Sequence, residues 1–142
     1  MQMNAYLSFN GDCEEAFKFY EQHLGGQPGT IFRYGGTPLA DSVPADWSDK
    51  VMHGSVTVGG HVLMGGDSFG ARYEEPRGFS LSLQLKKPTD AERIFDELAK
   101  GGKVMMPLEQ TFWAARFGMV VDRFGIPWMI NCEEADQSAS AS

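Results

Sequence analysis

Apolar and polar positions along this chain follow one programme, and the programme runs twice. Tyr6 to Asn10 alternates and predicts a strand. Asp12 follows as a helix N-cap with Glu15 as its capping-box partner. Ala16, Phe19, Tyr20 and Leu24 then recur at helical spacing, and Gly25-Gly26 ends the helix in a left-handed cap. Thr30 to Tyr34, His53 to Val58 and His61 to Met64 read as three further strands, the last two joined by a Gly59-Gly60 hairpin turn. The second pass opens at Ser80 to Leu85, where Ser80, Ser82 and Gln84 face one way and Leu81, Leu83 and Leu85 the other. Thr89 or Asp90 caps the next helix, which carries Ala91, Ile94 and Phe95. Val104 to Met106, Met119 to Val121 and Trp128 to Ile130 are its strands.

The two passes align residue by residue. Ala16, Phe19 and Tyr20 match Ala91, Ile94 and Phe95 at an offset of 75, and Gly25-Gly26 match Gly101-Gly102 at an offset of 76. A strand, a helix and three strands expose one apolar sheet face, so two such units form a natural minimum. The expected fold is α+β: two tandem βαβββ modules, about 4–66 and 79–132, forming a curved mixed sheet around a cavity. They make one domain over 1–132, with 133–142 as a flexible tail and Gly65 to Gly78 as the link. Gly26 to Gly60 spans 34 positions where Gly102 to Gly125 spans 23, so the first module carries an insertion between Gly35 and Lys50. A loop of that kind is either a lid or a surface excursion.

Composition narrows the partners. Hydrophobic residues make up 42% of 142, enough for a core, and the net charge of −7 comes without any basic run that would displace phosphate counterions. Nucleic acid is not an expected partner. Neither is a membrane, because no apolar run approaches a span and the N-terminus lacks a signal-peptide pattern. Cys13 and Cys132 lack metal or redox spacing and read as free thiols of a cytoplasmic protein.

Parity separates the sheet faces. Leu7, Phe9, Val56 and Val58 belong with the helices, while Tyr6, Ser8, His53, Ser55, Ser82 and Gln84 line the other side. Met64 and Met129 point there too, at matching places in the two final hairpins, as an adaptable floor. The stretch from Leu108 to Phe117 reads as a recognition loop, with Phe112 and Trp113 as stacking surface. In it Arg116 either grips an anion bidentately or pairs with Glu109. Of the three histidines only His53 faces the cavity, as a hydrogen-bonded pocket residue or, with Glu109 and Asp67, as part of a metal site. Asp122 to Gly125 reads as a turn, and Trp128 as core beneath the second helix.

Three motifs carry a resemblance: N-G-D-C-E-E-A-F-K-F-Y, H-G-S-V-T-V-G-G-H-V-L-M-G-G-D and Q-T-F-W-A-A-R-F-G-M-V-V-D-R-F-G-I-P-W-M-I-N. Over 2–132 the chain resembles the PhnB-like branch of the vicinal oxygen chelate superfamily, which includes glyoxalase I, bleomycin-resistance proteins and extradiol dioxygenases. The resemblance implies a homodimer and a divalent metal held from four strand positions. Carried over, those positions fall on Asn4 to Tyr6, Met64, Ser80 or Ser82, and Met129. None is a histidine or carboxylate, and thioethers and hydroxyls bind such ions poorly. The expected function is binding of a small molecule without metal or other cofactor. The alternative is a divalent-metal-dependent lyase, isomerase or dioxygenase with a rearranged site around His53 and Glu109.

Overall fold

The computed structural model describes residues 1–133, so the expected tail beyond Glu133 lies outside the described residues. The chain divides after Glu75 into two compact units. In the first, β1 (Tyr6–Phe9), α1 (Cys13–His23), β2 (Gln27–Arg33), β3 (Val51–Val58) and β4 (His61–Asp67) give a four-stranded sheet of order β1-β4-β3-β2. In the second, β5 (Leu81–Leu85), α2 (Pro88–Ala99), β6 (Lys103–Glu109), β7 (Arg116–Val121) and β8 (Pro127–Cys132) repeat it as β5-β8-β7-β6. β1 runs parallel to β4 and β5 parallel to β8, and the other pairs are antiparallel. The βαβββ duplication is present, carried on two separate mixed sheets.

Each helix covers one face of its own sheet. Leu7, Phe9, Val56 and Val58 are buried with Ala16, Phe17, Phe19 and Tyr20 of α1, and Phe9 meets Phe17 edge-on at 5.7 Å. Val120, Trp128 and Ile130 are buried with Ala91, Ile94, Phe95 and Leu98 of α2. Removal of this apolar area from water is the main stabilising term. Trp128 is core as expected, and Gly125 holds its turn at φ 90°.

The helix starts differ from expectation. Asp12 occupies the N-cap of α1, but its side chain makes no capping bond, so the Asp12–Glu15 box does not form. The carboxylate of buried Asp67 caps instead, accepting from the backbone N–H of Gly11 (3.0 Å) and Cys13 (2.9 Å) through one oxygen and Val51 (2.9 Å) through the other. This works because β4 continues through Gly65 and Gly66 to Asp67, where the sequence suggested a link. Helix α2 begins at Pro88, ahead of the expected Thr89 or Asp90 cap, because proline's fixed φ and missing N–H suit the first helical position.

The edge strands also run longer than their patterns suggested. β2 begins at Gln27 and β6 reaches Glu109, each with a proline inside, Pro28 and Pro107. An edge strand needs no apolar alternation and tolerates proline on its open side, which removes both signals by which a strand is recognised.

The insertion is tied down by Arg33, whose guanidinium forks onto Glu14 (3.0 and 2.9 Å) and donates to the carbonyl of Asp49 (2.8 Å). Hydrogen bonding to Arg33 holds the Glu14 carboxyl below the usual glutamate range. A lowered folded value means the pair stabilises above the ordinary glutamate pKa, and that contribution is lost as pH falls through the lowered value. The pair is partly exposed, so its worth is about 0.5 kcal/mol. Glu14→Gln is expected to remove that much of the acid-limb slope, measured by urea denaturation between about pH 6 and pH 3.

Candidate functional site

On the first unit the face away from α1 carries Tyr6, Ser8, His53, Ser55 and Met64, none of them core. Register places Met64 opposite both Tyr6 and Ser55, and His53 opposite Phe32. Tyr6 and His53 lie with ring centroids 5.6 Å apart at 31°, and Phe32 and His53 at 6.5 Å and 35°. The three rings form a wall across the sheet, with Tyr6 50% and Phe32 52% exposed. β4 separates the strands of Tyr6 and His53, and the rings meet across it because Gly66 carries no side chain. A Cβ there would stand 3.0 Å from the Tyr6 hydroxyl and 2.5 Å from the Met52 carbonyl oxygen. Among the described residues the His53 ring has the aromatic neighbours Tyr6 and Phe32 and no side-chain hydrogen bond.

Burial first, then electrostatic interaction with Cys13, Tyr34 and Asp67, raises the Tyr6 pKa above the usual tyrosine range. Its phenol is neutral at physiological pH and able to donate a hydrogen bond. The Ser55 hydroxyl accepts from the Thr30 N–H at 3.2 Å, which turns it toward the neighbouring strand.

On the second unit Ser82 lies opposite Met129 in the parallel β5–β8 pair, as Tyr6 lies opposite Met64 in β1–β4. Met119 pairs with Met129 from the other side, and the two thioethers line a cavity of about 400 Å³ with Gly78, Phe79 and Ser80. Beside it runs a polar string. The Asn131 amide donates to the Gln84 carbonyl oxygen (2.7 Å), and the Gln84 amide donates to the Ser82 hydroxyl (2.9 Å). Phe32, Phe79, Met119 and Asn131 were not singled out from sequence. Parity with Met129 would have found Asn131, whereas Phe32 and Met119 needed the strand register.

The segment between β6 and β7 holds Phe112 and Trp113 in an edge-to-face pair at 4.8 Å, with Phe112 96% exposed, and Trp113 meets Phe117 at 5.5 Å. The aromatic surface is present, but the charged residues sit elsewhere. Glu109 ends β6, exposed and opposite Phe117. Arg116 starts β7, and its Nε donates to Glu92 of α2 at 3.1 Å while Nη1 donates to the Ala115 carbonyl at 2.6 Å. The Arg116 guanidinium is thus paired with Glu92 of α2.

Other places are occupied by their own contacts. A larger depression of about 770 Å³ lies by the start of α1, lined by Glu15, Lys18, Asp46 and Asp49 among others. Its Arg33 is held by Glu14, and its Lys50 donates to the Gly11 carbonyl at 2.8 Å. Cys13 is fully buried, and burial followed by the Asp67 charge pushes its thiol far above the usual range, so it is inert. Asp67 has both oxygens engaged and is no companion for His53. Among the described residues no group of three or more His, Cys, Asp or Glu stands ready to hold a metal ion, and no helix is long and apolar enough to cross a membrane.

Residues 2–130 match the family model described as the Glyoxalase/Bleomycin resistance protein/Dioxygenase superfamily. The chain is 34% identical to Protein YjdN of Escherichia coli over 139 residues, covering 92% of this chain and 95% of the relative. The crystal structure of protein PA1353 from Pseudomonas aeruginosa is similar at 47% identity and TM-score 0.82, covering 95% of this chain and 99% of that one. The PhnB protein from Bacillus cereus is similar at 25% identity and TM-score 0.80, covering 93% and 99%. Sequence and architecture agree, and the chain belongs to the glyoxalase/bleomycin resistance protein/dioxygenase superfamily.

Proposed function

We propose that this protein binds a small organic molecule on the helix-free faces of its sheets, without the divalent ion that the resemblance implies. One observation carries the reading. The positions to which the resemblance carries the metal ligands fall on Asn4 to Tyr6, Met64, Ser80 or Ser82, and Met129; the register pairs Tyr6 with Met64 and Ser82 with Met129, and the set offers an amide or phenol, a hydroxyl and two thioethers. That donor set does not fit a hard or borderline divalent cation. It does fit contact with an uncharged ligand: thioethers adapt to varied shapes, and half-exposed rings stack on flat ones. A homodimer in the cytoplasm belongs to the same reading, supported by the family and by two unpaired, buried cysteines.

A thermal-shift screen of uncharged aromatic and heteroaromatic compounds tests this, run in parallel with and without EDTA. The expected result is a set of stabilising compounds whose shifts are the same in both arms, in proportion to ligand occupancy. Stabilisation that appears only with added divalent metal and vanishes with EDTA would favour the metal-dependent enzyme around His53 and Glu109.

A further inference from the structure

The second unit contains a polar atom whose local partner is missing. Among the described residues the side-chain oxygen of Asn131 is buried and accepts no hydrogen bond. Its amide nitrogen donates to Gln84, whose own amide donates to the Ser82 hydroxyl, and in this arrangement the oxygen is the end of Asn131 left over. A buried acceptor without a donor is unfavourable by an amount comparable to a lost hydrogen bond, and native interiors rarely leave one so. The register neighbours of Asn131 are Gln84 and Phe117. Phe117 carries Trp113 against its ring, and Trp113 carries the almost fully exposed Phe112. Two residues back along the same face, Met129 lines the 400 Å³ cavity with Met119 and Phe79.

We propose that Asn131 is a specificity-determining ligand contact. Its carbonyl oxygen receives a hydrogen bond from an uncharged molecule carrying an N–H or O–H donor, whose apolar body rests on Met119 and Met129. This deepens the proposed binding function and rests on it. The atom has no exposed surface, and its register neighbour Phe117 is the side chain inferred to give way to the donor. The string to Ser82 has a positioning role: it holds the amide so that oxygen rather than nitrogen meets the ligand. An unpaired acceptor also discriminates, because an otherwise identical molecule lacking the donor leaves the oxygen desolvated and unmatched.

The test uses matched pairs differing by one donor: indole against 1-methylindole, and 4-methylphenol against 4-methylanisole. Each is titrated into the isotopically labelled full chain and followed by NMR. The donor-bearing member is expected to bind about tenfold more tightly, and to shift the side-chain amide resonances of Asn131 where the capped member does not. That readout needs no variant. Asn131→Leu is expected to abolish the difference within each pair. Equal binding of both members to the unaltered chain overturns this proposal alone, as does a donor preference that survives in Asn131→Leu. An ordered water that stays on the Asn131 oxygen when a donor-bearing member is bound overturns it as well. Binding by neither member of either pair overturns it together with the reading of this face as a ligand site.

Discussion

Asp67→Ala is expected to lower the unfolding free energy by about 3–5 kcal/mol, and Asp122→Ala by a similar amount. Each carboxylate is nearly fully buried and accepts from at least three donors, drawn from distant segments for Asp67 and from the following turn and strand for Asp122. Asp67 joins the start of α1, the end of β4 and the start of β3 through Gly11, Cys13 and Val51. Asp122 joins the β7–β8 turn to the core, accepting from the N–H of Phe124 (2.9 Å) and Ile126 (3.0 Å) and from the Trp128 indole (2.9 Å). Truncation leaves buried N–H groups with no acceptor, and each such group is unfavourable by about 1–3 kcal/mol. Total stabilities are only about 5–15 kcal/mol, so either variant is marginal or unfolded at ambient temperature. Asp67→Asn should retain the bonds to Gly11 and Cys13 while turning its NH2 toward the Val51 N–H, and so lose roughly half as much. Urea denaturation followed by circular dichroism reads all three, and an Asp67→Ala loss below about 1 kcal/mol would contradict this role.

Gly65→Val should be at least as damaging, by a different route. Gly65 lies on the helix side of β4, where an added Cβ would stand 2.6 Å from the Leu7 carbonyl oxygen, 3.1 Å from the Phe17 ring and 3.2 Å from the Phe9 ring. The first of these is backbone of the paired parallel strand and cannot swing away, so relief requires parting β1 from β4. Overpacking against flexible side chains typically costs about 1–3 kcal/mol, and a backbone clash exceeds that. In the second unit Gly118 of β7, which corresponds to Gly54 of β3, is similarly tight, with a Cβ 2.8 Å from the Phe95 ring and 2.9 Å from the Leu108 Cα. Thermal denaturation of Gly65→Val and Gly118→Ala checks both. An unchanged melting temperature in either would show that the helix does not pack on the sheet as described.

Local order was legible and long-range pairing was not. The alternation of Ser80 to Leu85, the helical spacing of Ala16 to Tyr20 and the Gly25 and Gly101 caps each carry their signal within a few residues, and each element formed where expected. The matched placing of Met64 and Met129 followed from the repeat alone, and the register reproduces it. By contrast, Asp67 reaches Cys13 across 54 positions and Arg116 reaches Glu92 across 24. No local pattern announces either, and in both cases a plausible short-range partner, Asp12 or Glu109, stood in for the real contact. Phe32 escaped notice because it lies on an edge strand whose neighbours Pro28 and Gly29 erase the alternation that would assign it a face.

The binding reading rests on Tyr6, Met64, Ser82 and Met129 being unable to hold a divalent ion, and metal content tests that most directly. The protein would be purified without chelator, equilibrated in turn with zinc, manganese, nickel and ferrous iron, desalted, and measured by elemental analysis beside native mass spectrometry. The account predicts far less than one equivalent of any metal per chain. One tightly retained equivalent that disappears in His53→Ala would contradict it.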